Sequence, residues 1–595
     1  MIGRAFELEL LRRLVDDPGV LDRLESAVEA SLLDESSEHV GRFRFVHSLI
    51  NQTLYEGLGA TRRSSIHHRV ALTLEELVGA EPGARVAELA LHWRLSGSDS
   101  AKAARYAVIA GRRALDSLAP ADAAKLFADA LDLLGPIEDA ERCRALIGLG
   151  EAQELTGDPA YRTTLLHAAQ IASSLGDADL AAAAALANTR GFNSLIGDLD
   201  DERVDAIERA LELDDGTNAN RRVQLLALQS QELLYEHDRA RRQAVGLEAI
   251  ALARDVDDIR VKARVLQHAF HGLWSPDMTS IRAELAHELE TSARAAEDRA
   301  IEFWATVMLL HVRYETGDFG QAHLLRDRQR VLAAALAQPT LNWIAQLEAA
   351  AWGLLEGDLV AGEEMAREAL ELGHVAGQPD ALQVFGEQRA CIRLYQGRGD
   401  EQLIALSRQA AVIHPRMAVW SASTAQYEAH FGNPDEARAI LRDAVDTGLE
   451  RVGWDTLRLV ALSFYIDAAA RLGQQDAAAL AHELMLPWQD QFVWSGALGY
   501  GHVRVWLGVA AATVGRHAEA DEHFDFARRF HDDNGMQLWS ARTHLGWAES
   551  LAARGETAKA QEHGSRALDL ARTYGYGLIE QLAAPIAAAG VVARN

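Results

Sequence analysis

Lysine is almost missing from this 595-residue chain: Lys102, Lys125, Lys262 and Lys559 are all there are. A phosphate-cradling loop needs lysine between Gly and Ser or Thr, because backbone N–H groups hold the phosphates while the ammonium reaches the terminal ones. All four lysines follow Ala or Val, so no such loop is present in the sequence. Cysteine is scarcer still. Cys143 and Cys391 exclude a disulfide framework and a cysteine-rich metal set. Aromatics make up 6% against an apolar content of 49%, so the apolar side is largely Ala and Leu. That composition suits closely packed helices and leaves little for a β-sandwich. No run is long enough to span a bilayer: LAAPIAAAGVVA is short and contains Pro585. The start, MIGRAFELELL, turns acidic before a secretory signal forms. Positive charge is in deficit, 59 basic against 87 acidic residues, a net charge of −28 that repels phosphate backbones and anionic lipid. The expectation is an all-α cytoplasmic protein with no membrane segment and no wholesale nucleic-acid binding, organised as several domains or a repeat array.

What is present is repetition. GRHAEADEHFDFARRF, from Gly515, places Ala520, Phe524 and Ala527 on one helical stripe behind a glycine turn. The same grammar gives Ala437, Leu441 and Ala444 after Gly432, and Gly362, Ala366 and Ala369 after Gly357. It gives Ala123, Phe127 and Ala130 near the front, and Ala560, Gly564 and Ala567 after Gly555. Turn pairs recur at Gly157-Asp158, Gly197-Asp198, His237-Asp238, Pro276-Asp277, Gly317-Asp318, Gly357-Asp358 and Gly399-Asp400. Single glycines follow at 432, 473, 515 and 555, a period near 40 residues. Such a period means stacked helical hairpins, each touching only its neighbours. Gly tolerates a helix C-cap and the next Asp caps the following helix. The stripe resembles the tetratricopeptide repeat, whose second helix reads Ala, three residues, Phe, two residues, Ala. An α-solenoid of about 40-residue hairpins is therefore expected over residues 79–595.

Residues 1–78 break the period. FELELLRRLV and VLDRLESAVEASLL read as two amphipathic helices and LLDESSEHVGRFRFV as a hairpin. TRRSSIHHRVALTLEEL reads as a helix capped by Thr61 with Ile66, Val70, Leu74 and Leu77 inward. In GRFRFVHSLINQTLY a strand period (Phe43, Phe45, His47) changes to a helix period (Ile50, Leu54, Leu58). Helix, helix, hairpin, helix is the composition of a winged-helix domain. Phe43 to Tyr55, with Arg62, Arg63 and His67, resembles the winged helix that follows the nucleotide-binding domain in STAND-class regulatory ATPases. That class includes the LuxR-like maltose-activator type, and related modules accompany adenylate cyclases. IGRAFELELL resembles the start of that segment and the repeats its sensor superhelix. The resemblance implies a regulator's C-terminal half: either a chain of its own, or a remnant whose ATPase half is lost, or one working with an ATPase or DNA-binding domain on another chain.

The resemblance also implies a nucleotide-phosphate contact for His47, one that needs an ATPase supplied in trans; packing or capping is the simpler role at a strand-to-helix junction. Duplex DNA is disfavoured, because Arg42, Arg44, Arg62, Arg63 and Arg69 are balanced by Glu35, Glu38, Glu56, Glu75 and Glu76. His287-Glu288 and His482-Glu483 lack the second histidine of a metalloprotease helix, and no metal or cofactor set is legible. The glycines at 57, 148 and 575 begin like dinucleotide fingerprints but lack a third glycine and read as helix ends. No catalytic residues emerge. Trp304, Trp343, Trp352 and Trp420 fall in predicted first helices, where a concave groove is built, and are the candidate partner-binding residues. The same spacing also suits inter-repeat core. The expected role is a non-catalytic sensor or scaffold of a bacterial signalling or transcriptional regulator, binding a protein segment or small effector in that groove.

Overall fold

The computed structural model describes residues 5–15, 17–36, 39–79, 83–190 and 199–589. Among them are thirty α-helices and five short strands, forming an all-α solenoid of tetratricopeptide-like hairpins. The Gly197-Asp198 turn and residues 2–4 of the front motif lie outside the described residues. Two compact units are formed, Met1–Asn188 and Thr189–Asn595.

In the first unit β1 (Ala5–Glu7), β2 (Leu33–Glu35) and β3 (Arg42–Phe45) make an antiparallel sheet in the order β1-β3-β2. The expected hairpin is β2–β3. The first expected helix starts late, at Leu8, because Ala5–Glu7 pairs with the free edge of β3 and satisfies backbone groups left open there. Phe43 is buried against Leu24 and Leu33. The change of period is real: β3 ends at Phe45 and a helix runs Ser48–Glu56. The next helix, Ala60–Val78, begins after Gly59 with no side-chain cap, so Thr61 is inside it rather than before it. Val70 and Leu74 are buried, with Ile66 and Leu77 packed beside them. Glu75 of this helix accepts from Lys102 Nζ at 3.0 Å and Tyr106 OH at 2.8 Å, joining the front segment to the following helix pairs.

The predicted small-residue stripes are buried throughout, for example Ala123, Phe127 and Ala130, and Ala520, Phe524 and Ala527. What lets the phenylalanine in is glycine on the flanking helices. A Cβ at Gly111 or Gly508 would stand 2.8 Å or 2.9 Å from the ring of Phe127 or Phe524, and Gly148 and Gly546 close the same two rings from the other side. Gly148 is therefore not a helix end: it lies within Ala140–Leu155. The expected Asp caps are present at Asp238, Asp318, Asp358 and Asp400. Asp277 departs from the pattern. It accepts from Ser275 and Gln243 and pairs with Arg239 instead of capping a helix. A second series caps the partner helices: Asp139, Asp177, Asn218, Asp258 and Asp298.

The second unit departs from neighbour-only contacts. Its hairpins curl until distant ones meet: Tyr576 OH donates to Gly357 O at 2.7 Å, Gln388 to Ala497 O at 3.0 Å and Gln491 to Pro276 O at 2.7 Å. Inside the curl sits a second antiparallel hairpin, β4 (Phe492–Trp494) and β5 (Gly499–His502), buried along both strands. Trp494 donates to His311 Nδ1 at 3.2 Å, and Phe492 packs edge-on to Phe319 at 4.9 Å. Large rings with few polar atoms gain most from filling such an interior.

Candidate functional site

The described residues of the second unit leave a cavity of about 450 Å³ between the Ala381–Tyr395 helix and the pair Glu401–Ile413 and Ala418–Phe431. Small side chains open it. Gly386 and Ala390 face the space, and a Cβ at Gly386 would meet nothing within 4 Å. Phe464, Tyr500 and Trp506 form the floor, so the buried β4–β5 hairpin contributes to the wall. Leu382, Leu406 and Ile413 stand 64%, 59% and 55% exposed and make an apolar lip.

Polar groups in the wall are few and mostly engaged. Tyr427 OH donates to Ala390 O at 2.6 Å, and Tyr500 OH to Glu387 Oε1 at 2.8 Å. Burial pushes Glu387 above the usual carboxylate range, against the stabilising bond from Tyr500. Burial likewise pushes the Cys391 thiol up to about 12, so it stays protonated and is no nucleophile. One buried donor is left over. Trp420 Nε1 is buried in the wall without a hydrogen-bond partner.

Beyond Leu394 and Tyr395 lies a second cavity of about 360 Å³ whose wall carries more polar groups. Asp467 accepts there from Arg542 Nη2 at 2.7 Å and Gln426 Nε2 at 2.9 Å, with His430 Nε2 at 2.9 Å. Burial opposes ionisation of Asp467, but the charges of His430 and Arg542 outweigh it and hold the carboxyl well below its ordinary range. An apolar chamber with one free indole donor thus adjoins a chamber carrying fixed charges. Such a pair has the make-up to bind and orient a ligand.

The four tryptophans are not brought together. Trp343 is 1% exposed, wedged against Gly373 and Ala381 as core. Trp304 packs at a core edge. Trp352 sits under Arg326, 4.2 Å from guanidinium to ring, and donates to Glu356 at 2.6 Å. Trp420 alone lines the cavity. His47 is exposed at the start of Ser48–Glu56 and makes no side-chain cap. The cavity residues Gly386, Tyr427 and Tyr500 carried no signal in the sequence, since none stands in a motif and Tyr500 arrives from more than 100 positions away.

No family model matches the chain, and no curated protein matches it. Solved structures do. The APC/C hetero-tetramer Cut9–Hcn1 is similar at 14% identity over 90% of this chain and 99% of the other, with a TM-score of 0.45. A signal transduction ATPase with numerous domains, carrying a tetratricopeptide repeat sensor, from Pyrococcus horikoshii is similar at 13% identity. That likeness covers 69% of this chain and 60% of the other, with a TM-score of 0.37. Yeast Tom70 is similar at 14% identity over 83% and 97%, with a TM-score of 0.26.

Proposed function

We propose that the chain is a non-catalytic sensor or scaffold whose ligand is a small, largely apolar effector with one hydrogen-bond acceptor, held in the chamber walled by Gly386, Tyr427 and Trp420. The observation that carries this is the chamber itself: apolar, of ligand size and with a buried indole donor unspent. Chambers of roughly 300–1,000 Å³ enclose most of a small molecule's surface. A protein segment in a concave groove is a weaker fit, because the interior of the curl is occupied by β4–β5. The test is binding of the fluorescent apolar probe 1-anilinonaphthalene-8-sulfonate. The wild-type chain should enhance its emission saturably, and Gly386→Phe, which fills the chamber from a helical position with room for a side chain, should abolish that. Undiminished binding by a folded Gly386→Phe chain would reject the chamber.

The setting proposed is cytoplasmic bacterial signalling or transcriptional control, with residues 1–78 as a winged helix and 79–595 as the repeat superhelix. Among the described residues no helix is long and apolar enough to cross a membrane. A second reading places the chain beside a partner ATPase. It is favoured by the face around His47, where Val46, Leu49 and Leu54 are 37%, 70% and 60% exposed. Calorimetric titration with ADP tests it. Binding that is lost in His47→Ala supports the reading, and heat that is the same in both proteins removes His47 from it.

A further inference from the structure

A three-residue cluster outside both chambers has the composition of a metal site. His482 lies on the Gln475–Met485 helix, and Glu519 and His523 lie one turn apart on His517–Asp533. The helix Val503–Thr513 comes between them in the chain. His482 Nε2 is 3.0 Å from Glu519 Oε1 without the alignment of a hydrogen bond, and His523 Nε2 is 3.9 Å from the same oxygen. One ligand atom from each of the three lies within 4.8 Å of the others. His482 is fully buried and His523 is 5% exposed. Both nitrogens of His482 and Nδ1 of His523 have no hydrogen-bond partner. Buried imidazoles in native proteins are normally satisfied, and His482 Nε2, close to Glu519 Oε1 but not aligned with it, is a buried nitrogen facing the cluster that is not.

We propose that His482, Glu519 and His523 bind one divalent transition-metal ion, zinc being the best match to two imidazoles and a carboxylate. At metal–ligand distances of about 2.0–2.2 Å, tetrahedral ligands stand about 3.3 Å from one another. The observed separations bracket that spacing, so modest side-chain rotations close the set around an ion. The other Glu519 oxygen, Oε2, lies 3.8 Å from Arg516 Nη1, which orients the carboxylate from outside the cluster. Arg504 is the other nearby cation, and its charge is met by Asp490 at 2.8 Å. Glu519 is 34% exposed on its side chain and supplies the entry path from solvent. The bound ion ties together two helices that flank the segment carrying β4–β5, and so fixes the buried hairpin in place.

The test uses the full chain stripped with chelator and titrated with Zn²⁺, and separately with Co²⁺ as a spectroscopic substitute. One equivalent should bind, Co²⁺ should give the intense visible absorption of a four-coordinate site, and Zn²⁺ should slow hydrogen exchange across residues 486–502. His482→Gln, Glu519→Gln and His523→Gln should each weaken binding more than about tenfold. His517→Gln, on the same helix but outside the cluster, should not. A wild-type chain that binds no ion, or a triple variant that binds as the wild type does, overturns the proposal. If the variants do not fold, the wild-type measurements decide: unchanged exchange across 486–502 with Zn²⁺ also overturns it.

Discussion

At the scale of single residues, the repeat is set by which positions can do without a side chain. Phe127 sits in a slot cut by Gly111 and Gly148, and Phe524 in one cut by Gly508 and Gly546. A Cβ on Gly148 would penetrate the ring of Phe127, whereas at Gly546 it would stand 3.1 Å from Phe524, a distance small shifts relieve. Gly148→Ala should therefore destabilise the chain by about 1–3 kcal/mol despite the better helix propensity of alanine. Gly546→Ala should fall within about 1 kcal/mol of the wild type, and urea unfolding of the pair checks the contrast. Trp420 is a residue-scale matter too. Trp420→Phe keeps the apolar wall and removes the free donor, so a ligand with an acceptor should bind about 3- to 10-fold more weakly, while a pure hydrocarbon should not notice.

At the scale of elements, helix ends do the periodic work. Asp318 accepts from Gln321 N and Asp298 from Ala300 N and Ile301 N, so both helices of one hairpin begin on a capped turn. Asp318→Ala and Asp298→Ala should each cost about 1 kcal/mol, within a range of about 0.5–2, read from thermal unfolding. Asp277→Ala should behave differently. It removes acceptors for Ser275 and Gln243 and the partner of Arg239 rather than a cap. The front segment makes the same point about edges, since β1 became a strand because β3 had an open side.

At the scale of the whole molecule, closure of the second unit changes how it should unfold. An open solenoid loses its last hairpin with little effect on the rest. Here Tyr576 bonds to Gly357, and Ile579 and Leu578 belong to the same core as Phe303 and Trp343. Truncation after residue 556 should therefore raise hydrogen exchange in the Pro339–Glu356 helix as well as locally; exchange confined to residues 517–556 would show that closure contributes nothing. Acid should also loosen the fold. Burial lowers His92, His268 and His544 to about 4, and His271 and His502 to about 3, from 6.5. Between pH 6.5 and those values the unfolded chain takes up protons that the folded chain refuses, so stability is full above pH 6.5 and falls on acidification. The slope is at most about 1.4 kcal/mol per pH unit for each histidine. Glu387 and Asp455, raised by burial, oppose the loss. The urea midpoint should be lower at pH 5 than at pH 7.5.

The sequence by itself determined what is local and periodic: the helical hairpins, their turns, the buried Ala and Phe stripes and the strand-to-helix switch after Phe45. Each depends on spacing within one or two helical turns, which any reader of the chain can count. Only the tertiary structure decided where the superhelix closes, that Phe492 to His502 fold inward as strands, that Gly386 faces a void, and that His482 meets Glu519 and His523. These depend on the sum of small angles between successive hairpins. No residue encodes that sum, and a few degrees per repeat separates an open spiral from one whose distant turns touch.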